Sequence, residues 1–195
     1  MPTERRQELI HRVSAARQRG VVVIEDVHDP HNAAAVFRSC EAFGFQDVRL
    51  IFDQEKPFTP RKLGRATSAS ANKWLTFKTF TSTQACLDEL HTDGYEVIAT
   101  ALDDRAESFF EASFLSPRLA LMFGNEHRGL SAQALAMADR IVCLPMAGVI
   151  QSLNLSVTAG ITLFETTRQR RAAGLEPYLL PASERLALAQ DLLAR

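Results

Sequence analysis

Three polar stretches of the chain hold the side chains that could do chemistry. Asn32 and Arg38 lie six residues apart, which on a helix is nearly two turns. Residues 124–129 form a polar turn bracketed by glycines, and residues 151–156 bring polar side chains into the start of a helix. Arginine, amide and hydroxyl groups of this kind bind phosphate or orient a reacting oxygen. The three stretches are therefore the candidates for a functional site.

Arg38 has two interpretations on the residues alone. It belongs to an amphipathic segment, 33–43, whose other members are mostly small or apolar. Its guanidinium is either buried and paired with a carboxylate such as Glu25 or Glu126, or held beside a substrate phosphate and ribose. The ion pair is the commoner outcome, because structural ion-pair networks also place charges in clefts.

The other two stretches also have ordinary interpretations. Gly124 and Gly129 permit close backbone approach to a ligand, although a strand-to-helix loop of this kind is common. Ser152 or Asn154 could simply cap the helix that follows.

Short apolar strands alternate with helical segments along the chain. We predict strands at 21–24, 48–52, 74–79, 97–101, 119–123 and 141–144, and helices at 3–19, 32–43 (with Asn32 as N-cap), 81–92, 131–138, 153–171 and from 181. This alternation predicts an α/β fold with a mostly parallel sheet and helices on both faces. Ligands bind beyond the carboxyl ends of such strands, so loops 25–32, 124–129 and 145–154 are expected to share one pocket.

The length of 195 residues fits one domain with small extensions, which we place at 1–20, 21–173 and 174–195. The formal net charge of −1 gives no global reason to expect nucleic acid binding. Arginines nevertheless cluster, and although any single cluster is typical of a solvated helix face, three clusters favour a local polyanion site. The arginines expected to contact RNA are Arg5, Arg6, Arg12, Arg17, Arg19, Arg61, Arg65, Arg168 and Arg171.

Cysteine and histidine usage indicates neither disulfides nor metal. Cys40, Cys86 and Cys143 lie far apart without a CxxC pair, and His28 and His31 lack a third ligand at useful spacing. The start of the chain has no apolar targeting segment, and no apolar run approaches the ~18 residues of a membrane span. We expect a soluble, cytoplasmic protein without a membrane or metal partner.

Taken together, the three stretches resemble the ordered motifs of the SpoU branch of the SPOUT methyltransferases. The matching residues are Asn32 with Arg38, then 123–126 with Gly129, then 144–146 with 151–156. Segments 27–32 and 164–171 look most like the TrmH-type proteins within that branch. The resemblance runs from about residue 23 to residue 171, and the third motif is the most specific.

The resemblance implies a methyltransferase fold with a C-terminal trefoil knot that binds S-adenosylmethionine. The protein would act as a homodimer, with each site completed across the interface. The residues that would hold the cofactor are Thr100, Ala101, Leu102, Gly124, Leu144 and Leu153.

The resemblance also assigns roles in catalysis. Arg38 would accept the ribose 2′-hydroxyl proton with help from a substrate phosphate, and Asn32 would steady that arginine and the ribose. Glu126, Ser152 and Asn154 would shape the cofactor pocket and orient the reacting groups. A free guanidinium is a poor base, so we expect positioning and electrostatic stabilisation to contribute more than proton abstraction.

The substrate expected is tRNA, with guanosine 18 of the D-loop as first choice. We expect no extra N-terminal RNA-binding domain of the kind that many rRNA-modifying relatives have, which favours tRNA. Residues 33–35 are alanines where many relatives carry glycine or serine, and the tail after Gly174 does not match the family's motifs. The alternatives are an anticodon-loop or rRNA nucleotide, or a non-catalytic RNA-binding relative.

Overall fold

A computed structural model describes residues 3–63 and 71–195. The α-helices in these ranges are α1 (Glu4–Ala15), α2 (Pro30–Phe43), α3 (Thr83–Thr92), α4 (Ala132–Met137), α5 (Leu155–Ala172) and α6 (Ala182–Ala194). The strands are β1 (Gln18–Glu25), β2 (Phe45–Ile51), β3 (Thr76–Phe80), β4 (Glu96–Thr100), β5 (Glu107–Ser108), β6 (Leu119–Phe123) and β7 (Arg140–Cys143). Over the same ranges, no helix combines the length and apolarity needed to cross a membrane.

The strands form one parallel sheet in the order β3-β2-β1-β6-β4-β7-β5. Side chains alternate across β1, so that Val22 and Ile24 enter one core while Val21 and Val23 enter the other. Helices α2 and α5 cover the first face, and α3 and α4 cover the second. The predicted α/β fold with helices on both faces is confirmed, and the knot remains an expectation.

Strand β1 begins earlier than its apolar run suggested. Gln18 pairs with Phe45 in β2 and forms an antiparallel bridge with Leu179 of the C-terminal tail. Its amide also donates to the Phe43 carbonyl at 2.7 Å, so a polar residue is buried here with its hydrogen bonds satisfied. Helix α1 consequently ends at Ala15 and does not reach Arg19.

Helix α2 begins at Pro30, with Asp29 as its N-cap. The Asp29 carboxylate accepts from the His31 amide at 2.8 Å, and proline suits the first helical position. The prediction that Asn32 caps this helix is therefore wrong. Asn32 lies inside the first turn, and its side chain is free for tertiary contacts.

The N-terminal and C-terminal helices pack against each other. Ile10 of α1 forms a small core with Ala189 and Leu192 of α6. Nearby, the Leu180 amide donates to the Arg17 carbonyl at 2.9 Å. Both extensions thus lie near the amino-terminal end of β1, away from the carboxyl ends of the strands.

Candidate active site

A cleft of about 410 Å³ opens at the carboxyl ends of β4, β6 and β7. Its volume lies in the range of sites that bind small molecules. Phe109, Phe123 and Leu155 contribute apolar walls. Every residue expected to hold the cofactor lines this cleft, namely Thr100, Ala101, Leu102, Gly124, Leu144 and Leu153.

In the turn after β6, the backbone at Gly124 passes very close to the backbone at Gly129. Asn125 and Gly129 exchange two backbone hydrogen bonds of 3.0 and 2.9 Å. A Cβ on Gly124 would lie 2.3 Å from the Gly129 carbonyl carbon, and Gly129 itself has a φ of +68°. The turn's own backbone therefore requires glycine at 124, a reason that differs from the ligand approach expected from the sequence.

The three polar stretches meet through a chain of side-chain hydrogen bonds. Glu126 accepts from the side-chain amide of Asn32 at 2.8 Å and from the backbone amides of His28 and Asp29 at 2.9 and 3.2 Å. The Asn32 oxygen in turn accepts from the Asn154 amide at 3.1 Å. Both functional groups of Asn32 are thus engaged, which holds its side chain in one orientation.

Hydrogen bonds favour the ionised form of Glu126. Partial burial acts to raise its pKa, but the hydrogen bonds from Asn32 and from the backbone amides outweigh burial, and the pKa of Glu126 is lowered. The side chain is therefore an acceptor at neutral pH.

Arg38 is exposed on α2 and has no hydrogen-bond or ion-pair partner among the described residues. The carboxylates considered as its partners are occupied by other donors. Glu25 accepts from the Thr83 hydroxyl and from Ser131, and Glu126 accepts from Asn32. The buried ion pair does not form, and the guanidinium faces solvent, available to an anionic ligand.

Asn154 serves two purposes at the start of α5. Its side-chain oxygen caps the helix by accepting from the Ser156 amide at 2.8 Å, while its amide donates to Asn32. Ser152 lines the cleft two residues earlier. The capping interpretation is correct for Asn154 and does not compete with its place in the polar chain.

The arginines expected to contact RNA differ in exposure. Arg5 and Arg12 are exposed on α1, Arg6 is half-buried there, and Arg19 is half-buried in β1; Arg61, Arg168 and Arg171 are exposed, and Arg65 lies outside the described residues. Arg17 is only 1% exposed, because its side chain packs against the C-terminal end of α2, where it forms an ion pair with Glu41 at 3.1 Å. Arg17 is therefore not a surface contact for RNA, contrary to expectation.

Sequence reasoning missed several residues around the cleft. Thr158 and Thr162 line it from α5, and their spacing of four residues after the third polar stretch was the available signal.

His28 and His31 contact the carboxylates of Glu55 and Asp29. In the ranges described, no group of three side chains is arranged to hold a metal ion.

Comparisons with known proteins agree with this geometry. The sequence model of the SpoU rRNA methylase family matches residues 19–164. The tRNA (guanosine(18)-2′-O)-methyltransferase of Thermus thermophilus is 37% identical over 97% of both chains, and the Escherichia coli enzyme of that name is 35% identical over 86% of this chain and 72% of its own. The A. aeolicus TrmH/SpoU tRNA modifying enzyme superposes with a TM-score of 0.88 at 28% identity, covering 98% of this chain and 96% of the other. The chain therefore belongs to the SpoU methylase family.

Proposed function

We propose that this protein transfers the methyl group of S-adenosylmethionine to the ribose 2′-hydroxyl of guanosine 18 in tRNA. The observation that carries the proposal is the hydrogen-bonded chain Glu126–Asn32–Asn154 beside a small-molecule cleft. Arg38, which has no partner within residues 3–63 and 71–195, lies on the same helix as Asn32. The printed activity of the two relatives at 37% and 35% identity supports the choice of nucleotide.

The cleft fits the cofactor that the family uses. Its walls combine apolar side chains suited to an adenine with polar groups at the strand ends. Thr100, Leu144 and Leu153 would hold the adenosine portion, with Glu126 and Ser152 near the polar portion. When bound, S-adenosylmethionine supplies a methyl group activated by its sulfonium.

The protein's own contribution is positioning and charge. Asn32 is fixed from both sides, so it can orient a ribose without having to reorganise. The Arg38 guanidinium would hold a substrate phosphate and stabilise the developing alkoxide. The proton then leaves to that phosphate or to another acceptor.

A homodimer would explain where the basic residues lie. Helix α5 starts at the cleft and ends near Arg19, so Arg171 lies roughly 24 Å along the helix from Leu155 at 1.5 Å per residue. Arginines at that end are too far away to contact a nucleotide that occupies the cleft of the same protomer. Val157 and Phe164 expose 46% and 55% of their area on α5, which suits contact with a second copy. In this proposal the partner subunit supplies the RNA-binding arginines in the cytoplasm, where tRNA resides.

Methyl transfer to unmodified tRNA, followed by mapping of the modified nucleotide, tests the proposal. We expect 2′-O-methylation at guanosine 18 and none when that nucleotide is replaced. Methylation of an anticodon-loop or rRNA nucleotide would establish the alternative substrate. Absence of transfer to any RNA would leave a binding protein.

Arg38→Ala tests the residue assignment. Removal of one charge-stabilising donor lowers turnover by about 10²–10³-fold, whereas S-adenosylhomocysteine should bind as in the wild type because Arg38 does not line the cleft. Lys73→Ala removes an exposed cation that makes no side-chain contact among the described residues; it is the control and should transfer normally. Near-normal turnover of Arg38→Ala would remove that residue from the mechanism.

A further inference from the structure

Asp26, directly after β1, has an unusual backbone conformation. Its φ is +49°, and among the described residues it is the only non-glycine residue with a positive φ. Its side chain is buried, with 5% of the residue exposed. Aspartate and asparagine tolerate a positive φ better than other non-glycine residues, but glycine is favoured there unless the side chain makes specific contacts.

The Asp26 carboxylate holds the loop that follows β2. One oxygen accepts from the successive backbone amides of Asp53, Gln54 and Glu55, at 2.8, 3.0 and 3.1 Å. Consecutive amides that converge on one oxygen form an anion-binding nest, which here is filled from within the protein. Loop 53–55 is therefore fixed to the end of β1.

The Asp26 carbonyl holds the turn that follows β6. It accepts from the Asn125 side-chain amide at 2.7 Å, and Asn125 is itself 5% exposed. The oxygen of that same Asn125 side chain accepts from the backbone amides of His127 and Arg128, at 2.8 and 3.0 Å. The turn is thus shaped by a side chain that Asp26 anchors.

The two contacts of Asp26 converge on one segment. Glu55, delivered by loop 53–55, forms an ion pair with Arg128 at 2.9 Å, while Asn125 holds the same turn from its other side. Glu126 lies between these fixed points and carries the hydrogen bonds to α2.

From this arrangement we infer that Asp26 is a positioning residue that sets the turn 125–128, and through Glu126 orients Asn32. The strained backbone directs the carbonyl towards Asn125, and the carboxylate nest keeps that backbone in place. The effect on turnover rests on the proposed function, whereas the effect on the turn itself does not.

Three substitutions of Asp26 distinguish the effect of its backbone conformation from the effect of its carboxylate. Asp26→Asn keeps both the tolerance of positive φ and an oxygen for the nest, since the second carboxylate oxygen has no partner in the described part of the chain. Asp26→Gly keeps only the conformation, and Asp26→Ala keeps neither. Asp88→Ala removes an exposed carboxylate on α3 that makes no side-chain contact in the described ranges, and serves as the control.

Hydrogen exchange measured by NMR reports on the stability of the turn 125–128 and does not depend on methyltransferase activity. We expect the amides of residues 53–55, and also those of His127 and Arg128, to exchange at least about tenfold faster in Asp26→Gly and Asp26→Ala. Asp26→Asn and Asp88→Ala should exchange as the wild type does. Unchanged exchange of His127 and Arg128 in both the glycine and alanine variants would overturn the inference.

Kinetics and ligand binding then test the coupling to the site. The glycine and alanine variants should lose turnover by about 10–100-fold, the asparagine variant should rescue it, and S-adenosylhomocysteine should bind more weakly to the first two. Combining Asp26→Gly with Glu126→Gln should give less than the product of the two single losses, because both act through one group. Multiplicative losses would mean that Asp26 acts through stability alone. If the wild type methylates no RNA, the proposed function fails, while exchange and binding still decide the role of Asp26.

Discussion

Replacement of Glu126 by glutamine removes one hydrogen bond of the polar chain and weakens two. One carboxylate oxygen accepts from the Asp29 and Asn32 nitrogens, and glutamine keeps an oxygen there. The other oxygen accepts from the His28 amide at 2.9 Å, where glutamine presents a second donor instead. A hydrogen bond to a charged group contributes about 1.5–3 kcal/mol, so partial exposure suggests a loss of about 2 kcal/mol. For a chain of this length that loss lowers Tm by about 4–8 °C.

The pH dependence makes this prediction specific. Because the pKa of Glu126 is lowered in the folded protein, its stabilisation is present above the unfolded pKa of about 4.3 and is lost as pH falls through the folded pKa. Thermal unfolding of wild type and Glu126→Gln should therefore differ at pH 7 and differ less at a pH below about 4.3. Glu111→Gln, at an exposed position without side-chain contacts in the described ranges, should match the wild type at both. A difference in Tm below about 1 °C at pH 7, or one independent of pH, would refute the reasoning.

Three further outcomes are expected. Gly124→Ala should fail to fold or lose most of its stability in urea unfolding, because its Cβ would lie 2.3 Å from backbone atoms. Gly148→Ala should be tolerated, because no atom of the described residues lies within 4 Å of the added Cβ. Replacing the arginines of α1 with glutamine should weaken tRNA binding and flatten its dependence on salt, and equal affinities of variant and wild type across a salt series would exclude α1 from RNA binding. Arg17→Gln should lower Tm instead, because it removes the ion pair that Arg17 forms with Glu41. Burial raises the pKa of Asp47 to about 6, so ionisation costs stability above about pH 4–6, and Asp47→Asn should raise Tm at pH 7 but not below pH 4, as calorimetry can check.

Apolar patterning predicted the sheet because buried parallel strands are apolar on both faces. Leu119–Phe123 was predicted at its observed bounds, and the glycine after α2 ends that helix with a φ of +80°. Patterning failed where polar residues are buried with partners. Gln18 extends β1 because tertiary hydrogen bonds satisfy its side chain.

Buried arginines were beyond the reach of the sequence. Arg170 is fully buried, donates to the carbonyls of Arg19 and Ser116, and lies 5.0 Å from the Tyr178 ring, and burial lowers its pKa to about 10. The two carbonyl partners lie 151 and 54 residues away along the chain. An arginine among exposed arginines at the end of a helix is typical of a solvated face, which is why Arg17 was misassigned.

The candidate site could be located but not assembled from sequence. The rule that ligands bind beyond parallel strand ends placed three loops at one end of the sheet. The hydrogen bonds that join them link Asn32 to partners 94 and 122 residues away, and periodicity carries no information about such pairs. Asp26 escaped notice because its backbone angle has no signature in the residue pattern.

The strand order also constrains biosynthesis. Strand β1 lies between β2 and β6, and about a hundred residues separate it from β6 along the chain. Ribosomes add roughly 5–20 residues per second, so β1 of a nascent chain lacks its neighbour on one side for several seconds until β6 emerges. During that interval the β3-β2-β1 half has an unpaired edge, which makes it a natural client for chaperones that shield growing polypeptides.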